Sequence, residues 1–162
     1  MQVPVMSYGL LGGLAIALAF AAATDMRRRQ IDNWLNAGIA LGAPLFWWAQ
    51  GLSLAQIGWQ LAVTLAAFVV LAALFAIRAM GGGDVKLLTA LALWIKPLWF
   101  VHLLTVMALA GGLLTLGMGA WHVTRRQKGK LSIPYGIAIA LAGLWVLAAD
   151  YLPALQSGSR LG

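Results

Sequence analysis

The stretch "MGGGDVKLL", Met80–Leu88, places three consecutive glycines and an ionisable aspartate between two apolar runs. Residues 55–78 carry one charge, at Arg78, and residues 87–95 carry none. Whether the stretch is a surface loop or a break between membrane spans depends on the rest of the chain. Of its 162 residues, 62% are hydrophobic and 9% charged, with a mean hydropathy of +0.89. A soluble domain carries roughly 25% charged residues. This chain has too little polar surface to cover itself in water, so its solvent is lipid. A spanning helix needs about 20 mostly apolar residues, which leaves room for about six spans, short loops and no soluble domain.

Working outward from the break, the apolar segments are about 7–24, 34–51, 55–78, 84–95, 98–123 and 132–152. They are separated by "TDMRRRQIDN", "QGLSLAQ", "RAMGGGD", Lys96–Pro97 and "RRQKGKLS". The expected fold is all-α: a polytopic membrane helix bundle of about six transmembrane helices forming one domain over 1–162. The fourth segment is the shortest, about 18 Å as a helix. It reaches further only if the glycines lie at membrane depth and line a wet cavity. With six spans, Arg27–Arg29, Arg78, Lys86, Arg125, Arg126, Lys128 and Lys130 share one side, and Lys96 and Arg160 the other. Fusing 84–123 into one pass kinked at Pro97 would split the basic clusters. Basic residues in short loops favour the cytoplasm, so both termini are expected outside. Trp47, Trp48, Trp59, Trp94 and Trp99 then form an outer aromatic belt, with Trp34 and Trp121 at the inner interface. Gly9 with Gly13, and Gly38 with Gly42, have the spacing of close helix packing. The tail "SGSRLG" reads as disordered.

The absence of cysteine excludes disulfides, thiolate zinc sites and cysteine nucleophiles. "MQVPVMSYGL" lacks a basic leader region and reads as the approach to a first span. The net charge of +7 is topological in such a chain, so no nucleic acid is expected. His102 and His122 are lone histidines, and neither a metal nor a cofactor is expected. Asp150 reads as an outer-interface residue.

With no Glu present, carboxylate chemistry falls to Asp25, Asp32, Asp84 and Asp150. Asp25 ends the first span and Asp84 begins the fourth, on the same face. Two carboxylates sharing a site cannot both ionise easily, which supplies the base and the acid of aspartic-protease chemistry. Gly81, Gly82 and Gly83 would permit backbone angles closed to other residues and a close approach of substrate. A bland reading stands beside this one. Asp25 caps a helix or pairs with Arg27–Arg29, and Asp84 is an N-cap after a flexible glycine turn.

At these residues the sequence resembles the prepilin peptidases, membrane aspartic proteases of the GxGD type. "GGGDVKLL" is similar to their GxGD signature, "TDMRRRQIDNWLN" to their first motif, and "SIPYGIAIALAG" to the motif opening their last span. The resemblance implies Asp25 and Asp84 as the catalytic pair, Gly81 and Gly83 as the motif glycines with Gly82 between them, and Lys86 as the basic follower. It implies cleavage, typically after a glycine, of the basic leader of a type IV pilin-like precursor at the cytoplasmic face of the bacterial inner membrane. Asp32 departs from the family's proline and reads as an N-cap. The cysteine-containing insert of long members is absent, as in the short form found with Flp-type (tight-adherence) pili, so methyltransferase activity is not expected. Expected partners are a precursor with a transmembrane helix, anionic lipids around the basic clusters, and other pilus-assembly components. Two further classes remain at this stage. One is a small cation- or proton-coupled transporter, disfavoured because both aspartates hug one face. The other is a non-catalytic assembly subunit.

Overall fold

In the computed structural model, which describes residues 5–124 and 135–158, every regular element is helical. The helices are α1 (Val5–Arg28), α2 (Asn33–Gln50), α3 (Leu54–Ala76), α4 (Gly82–Ala92), α5 (Pro97–Thr124) and α6 (Tyr135–Gly158). Three of these are long and apolar enough to cross a membrane: α1, α3 and the Pro97–Gly117 part of α5. The all-α membrane bundle expected from composition is the observed fold.

Turn chemistry explains the helix ends. Gly51 takes the left-handed conformation (φ +66°) and ends α2, its N–H returning to Trp48 O. Two residues later, Ser53 and Gln56 form a capping box that starts α3. Pro97 opens α5, where its missing N–H costs nothing. Helix α6 continues through Pro153 to Gly158, so Ser157 and Gly158 are helical rather than part of a disordered tail. A proline inside a helix removes one hydrogen bond but keeps a helical φ, as Pro44 also does within α2.

The fourth segment is shorter than expected, with α4 ending at Ala92 instead of Ile95. Its 11 residues cover only about 16 Å, so its last carbonyls stop inside the bundle and need donors. Neighbouring helices supply them. Gln60 Nε2 of α3 donates to Ala92 O (2.6 Å) and Ile95 O (2.7 Å). Trp47 Nε1 of α2 donates to Leu93 O at 2.8 Å. In the reverse direction, Trp94 Nε1 donates to Ile39 O of α2 at 2.7 Å. Trp47 and Trp94 are therefore interior residues, 8% and 6% exposed, and not members of an aromatic belt. Trp34, Trp48 and Trp59 do face outward, whereas the Trp121 side chain lies outside the described residues.

Helix α4 is the centre of the bundle. Leu87, Leu88 and Leu91 are fully buried, with α2, α3 and α6 packed around them. Helix α6 in turn packs on α1 and α5. Leu11, Leu14, Leu18, Ala21 and Asp25 are all buried along α1, and their three- and four-residue spacing is one helix face. Asp25 therefore enters the interior on the stripe that builds the core. Along that stripe α1 and α6 run antiparallel in close register. A Cβ on Gly143 would stand 2.9 Å from Leu18 Cδ1, and one on Gly136 would stand 2.7 Å from Asp25 Oδ2.

Candidate active site

The site forms at one end of the bundle, where the α1–α2 and α3–α4 breaks meet the start of α6. Arg29 adopts a left-handed φ of +53° just after α1, and Arg78 one of +61° just after α3. Both turn the chain back across the same end. Between α1 and α2, the buried Ile31 anchors an otherwise polar loop. Asp32 follows at the N-cap position of α2 (φ −65°, ψ 137°), yet its side chain makes no capping hydrogen bond. The expectation of a capping aspartate is met in position only; the Asp32 side chain lines the cleft described below.

The three glycines do not behave as expected. None takes a left-handed φ, and Gly81 is extended at φ −73°, ψ 145°. Their requirement is space. A Cβ on Gly81 would stand 2.9 Å from Asp84 Oδ2, one on Gly82 3.2 Å from the Phe75 ring, and one on Gly83 3.4 Å from Ile31 Cβ. Each missing side chain thus admits a different neighbour: the carboxylate, the end of α3, and the α1–α2 loop. Gly81 is the N-cap of α4, and Asp84 sits in its first turn. Asp84 is therefore not the cap. Its carboxylate folds back over the start of its own helix, against the Gly81 backbone, where the helix dipole favours negative charge.

Asp25 is held differently. It is 6% exposed, and its Oδ2 accepts a buried hydrogen bond of 2.8 Å from the Gly136 N–H of α6. No ion pair joins it to Arg27–Arg29 among the described residues; the salt bridge found among them is Lys96–Asp150, 3.0 Å, which ties the α4–α5 turn to α6. Gly136 is the residue that sequence reasoning missed as a site component. Its signal was present in "SIPYG", but the motif's Ser132, Ile133 and Pro134 lie outside the described residues.

Asp25, Asp32 and Asp84 all line one open cleft of about 1080 Å³. Asp84 lies close enough to feel the charge of Asp25. Arg29, Arg78 and Lys86 line the same cleft, balancing three potential anions with three cations. Lys86 is not free, since its Nζ donates to Asn33 Oδ1 at 2.8 Å and ties α4 to the start of α2. Arg29 faces the carboxylates rather than serving only the lipid headgroups. Arg125, Arg126, Lys128 and Lys130 lie outside the described residues, as does the His122 side chain. His102 is exposed, with Nδ1 2.9 Å from Leu98 O. Among the described residues, no three His, Cys, Asp or Glu side chains converge as a metal-ligand set.

The arrangement offers two carboxylates from separate helices, one anchored by a backbone N–H and one at a helix start. They share one open cleft. The model of the type IV leader peptidase family matches residues 13–116, a span that contains Asp25, Asp32, Gly81–Asp84 and Lys86. Neither a curated protein nor a solved structure matches the chain.

Proposed function

This chain belongs to the type IV leader peptidase family, and we propose that it works as a membrane-embedded aspartic endopeptidase with Asp25 and Asp84 as its catalytic pair. Its substrate is the leader of a type IV pilin-like precursor, cut after a glycine at the cytoplasmic face of the inner membrane. The observation that carries this reading is the convergence of Asp25 and Asp84, 59 residues apart in sequence, from α1 and α4 into one open cleft.

The chemistry follows from one proton shared by two carboxylates. The ionised member takes a proton from water as the oxygen attacks the scissile carbonyl. The protonated member gives its proton to the carbonyl oxygen, forming a tetrahedral diol. Collapse of the diol returns a proton to the pair and delivers one to the leaving amine, so water is consumed and an acid and an amine are released. The basic residues at this end, Arg27–Arg29, Arg78 and Lys86, support a cytoplasmic orientation. The same cations attract anionic lipid headgroups.

The test is processing of a pilin precursor in membranes, read by gel mobility at matched expression. Asp25→Asn and Asp84→Asn should each abolish cleavage, because an amide can neither act as base nor share the proton. Asp32→Asn should retain it. Cleavage that survives either of the first two changes would sink the aspartic mechanism.

A further inference from the structure

A second space adjoins the cleft. It is a groove of about 380 Å³ with walls from α2 and α3 and a floor from α4. Asn33 and Lys86, joined by their 2.8 Å hydrogen bond, line both spaces. From there the groove follows α2 to Ala40 and α4 to Leu93, about 10 Å or two helical turns. Its lining is otherwise apolar or small, with Ala37, Ala40, Phe68 and Ala90 among it. Two polar residues interrupt it: Thr89, whose hydroxyl donates to Val85 O at 2.8 Å, and Asn36, which differs in having no partner. Asn36 lines the groove one turn below Asn33, is 5% exposed, and neither its Oδ1 nor its Nδ2 has a hydrogen-bond partner. Polar groups buried in apolar surroundings are almost always paired, so an unpaired amide beside a cleft marks a place where a partner arrives.

We infer that this groove seats the first turns of the precursor's apolar transmembrane helix, with the Asn36 amide as its polar contact. The inference rests on the reading of the chain as a leader peptidase and extends it to how the substrate is held. A helix leaves its first N–H groups without partners, a costly condition at membrane depth. A precursor cut just ahead of its apolar helix brings those groups beside the cleft. A turn of the enclosed Asn36 side chain into the groove lets Oδ1 accept from one of them while Nδ2 donates to a carbonyl of the extended leader. Such a contact registers the helix against the carboxylates, so Asn36 is a positioning residue. The groove between α1 and α2 that Gly9, Gly13, Gly38 and Gly42 line shares no residue with the cleft and, among the described residues, holds no buried unpaired polar group.

The natural absence of cysteine makes the test direct. Ala37→Cys, in the groove, and Leu41→Cys, 75% exposed on α2 and outside it, are each combined with Asp84→Asn to retain substrate. Each is oxidised in membranes with a pilin precursor carrying one cysteine in the first two turns of its apolar helix. A disulfide to the precursor from Ala37→Cys and not from Leu41→Cys is the expected result. If wild type cuts this precursor but Ala37→Cys yields no adduct, lipid fills the groove and the inference fails. If it yields only a dimer of the enzyme, the groove is an interface between copies, and the inference fails equally. If wild type does not cut the precursor, the leader-peptidase reading itself falls and takes this one with it. Asn36→Leu supplies the second readout. KM for the precursor should rise about tenfold with kcat within about twofold, and the thermal midpoint should not drop. An unchanged KM, or a midpoint that falls together with kcat, would assign Asn36 to structure alone.

Discussion

Replacing Gly136 with alanine is the sharpest probe of how the site is assembled, because it adds one carbon at the point where α6 touches Asp25. The new Cβ would lie 2.7 Å from Oδ2, 2.8 Å from Cγ and 2.9 Å from Cβ of Asp25. Carbon contacts are comfortable at about 3.5–4.0 Å, so all three are short by roughly 0.6 Å or more. Rotation about one bond cannot relieve a clash that includes Asp25 Cβ, which is fixed to the α1 backbone. Helices α1 and α6 must therefore separate, which stretches the 2.8 Å bond from the Gly136 N–H to Asp25 Oδ2. Overpacking of this kind costs about 1–3 kcal/mol, and losing a hydrogen bond to a charged group about 1.5–3 kcal/mol. The second cost is met only as far as the separation stretches that bond, so the two are not simply added.

That separation displaces Asp25 by about 1 Å relative to Asp84, and a misplacement of that size costs on the order of 100-fold in rate. Gly136→Ala should therefore cut precursor processing in membranes by about 100-fold while leaving a folded protein in detergent. Leucine at the same position should abolish processing. Gly112→Ala, also in a helix but with nothing within 4 Å of the added carbon, is the control and should process at the wild-type rate. Wild-type processing by Gly136→Ala at matched expression would refute the reasoning. It would mean that the Gly136 contact does not position the carboxylate that does the chemistry.

Two other perturbations test the supports of the site. Gly82→Ala brings a Cβ to 3.2 Å from the Phe75 ring, and should lower processing several-fold; Phe75→Leu in the same chain should restore most of it, and a double-mutant comparison of processing rates that shows simple additivity would reject the contact. Gln60→Leu leaves Ala92 O and Ile95 O without their shared donor, costing about 1–3 kcal/mol. A fall of several degrees in the thermal midpoint, with processing at permissive temperature near wild type, is the expected outcome. An unchanged midpoint would show that the end of α4 is satisfied some other way.

The bundle was readable in advance where one physical cause dominates. Scarcity of charge makes lipid the solvent, and the 3.6-residue period then assigns the long apolar runs to helices. The buried stripe from Leu11 to Asp25 is visible in the sequence once that period is applied. Less readable were residues whose role depends on a neighbour far along the chain. Trp47 and Trp94 match the composition of a membrane-interface belt, and nothing local shows that α4 stops short and leaves carbonyls for Trp47 to meet. Glycine spacing misled in a similar way. Gly9, Gly13 and Gly38 have the pattern of helix contacts, but nothing lies within 4 Å of an added Cβ at any of them; of the four, Gly42 alone is close-packed, its added Cβ 2.7 Å from the Trp94 ring. Gly136 and Gly143, seven residues apart, do meet α1.

That contrast separates two meanings of a small residue in a membrane chain. A glycine that meets nothing in its own bundle leaves a surface, whereas one that meets a side chain it could not otherwise admit fixes a register. Gly81, Gly82, Gly83 and Gly136 are of the second kind, and together they touch Asp84, Phe75, Ile31 and Asp25. Their neighbours come from four separate places along the chain: α4, α3, the α1–α2 loop and α1. The glycines thus act as sockets that lock four segments into one arrangement around the cleft, and none needs unusual backbone angles to do so. A rigid socket set suits the aspartic site proposed above. On that proposal the carboxylates must keep a fixed relation to each other while the cleft stays open to water and to an incoming chain. The Gly81–Asp84 segment is thus explained by what it admits rather than by how it bends, and Asp84 stands where it does because Gly81 leaves room for its carboxylate to turn back over the start of α4.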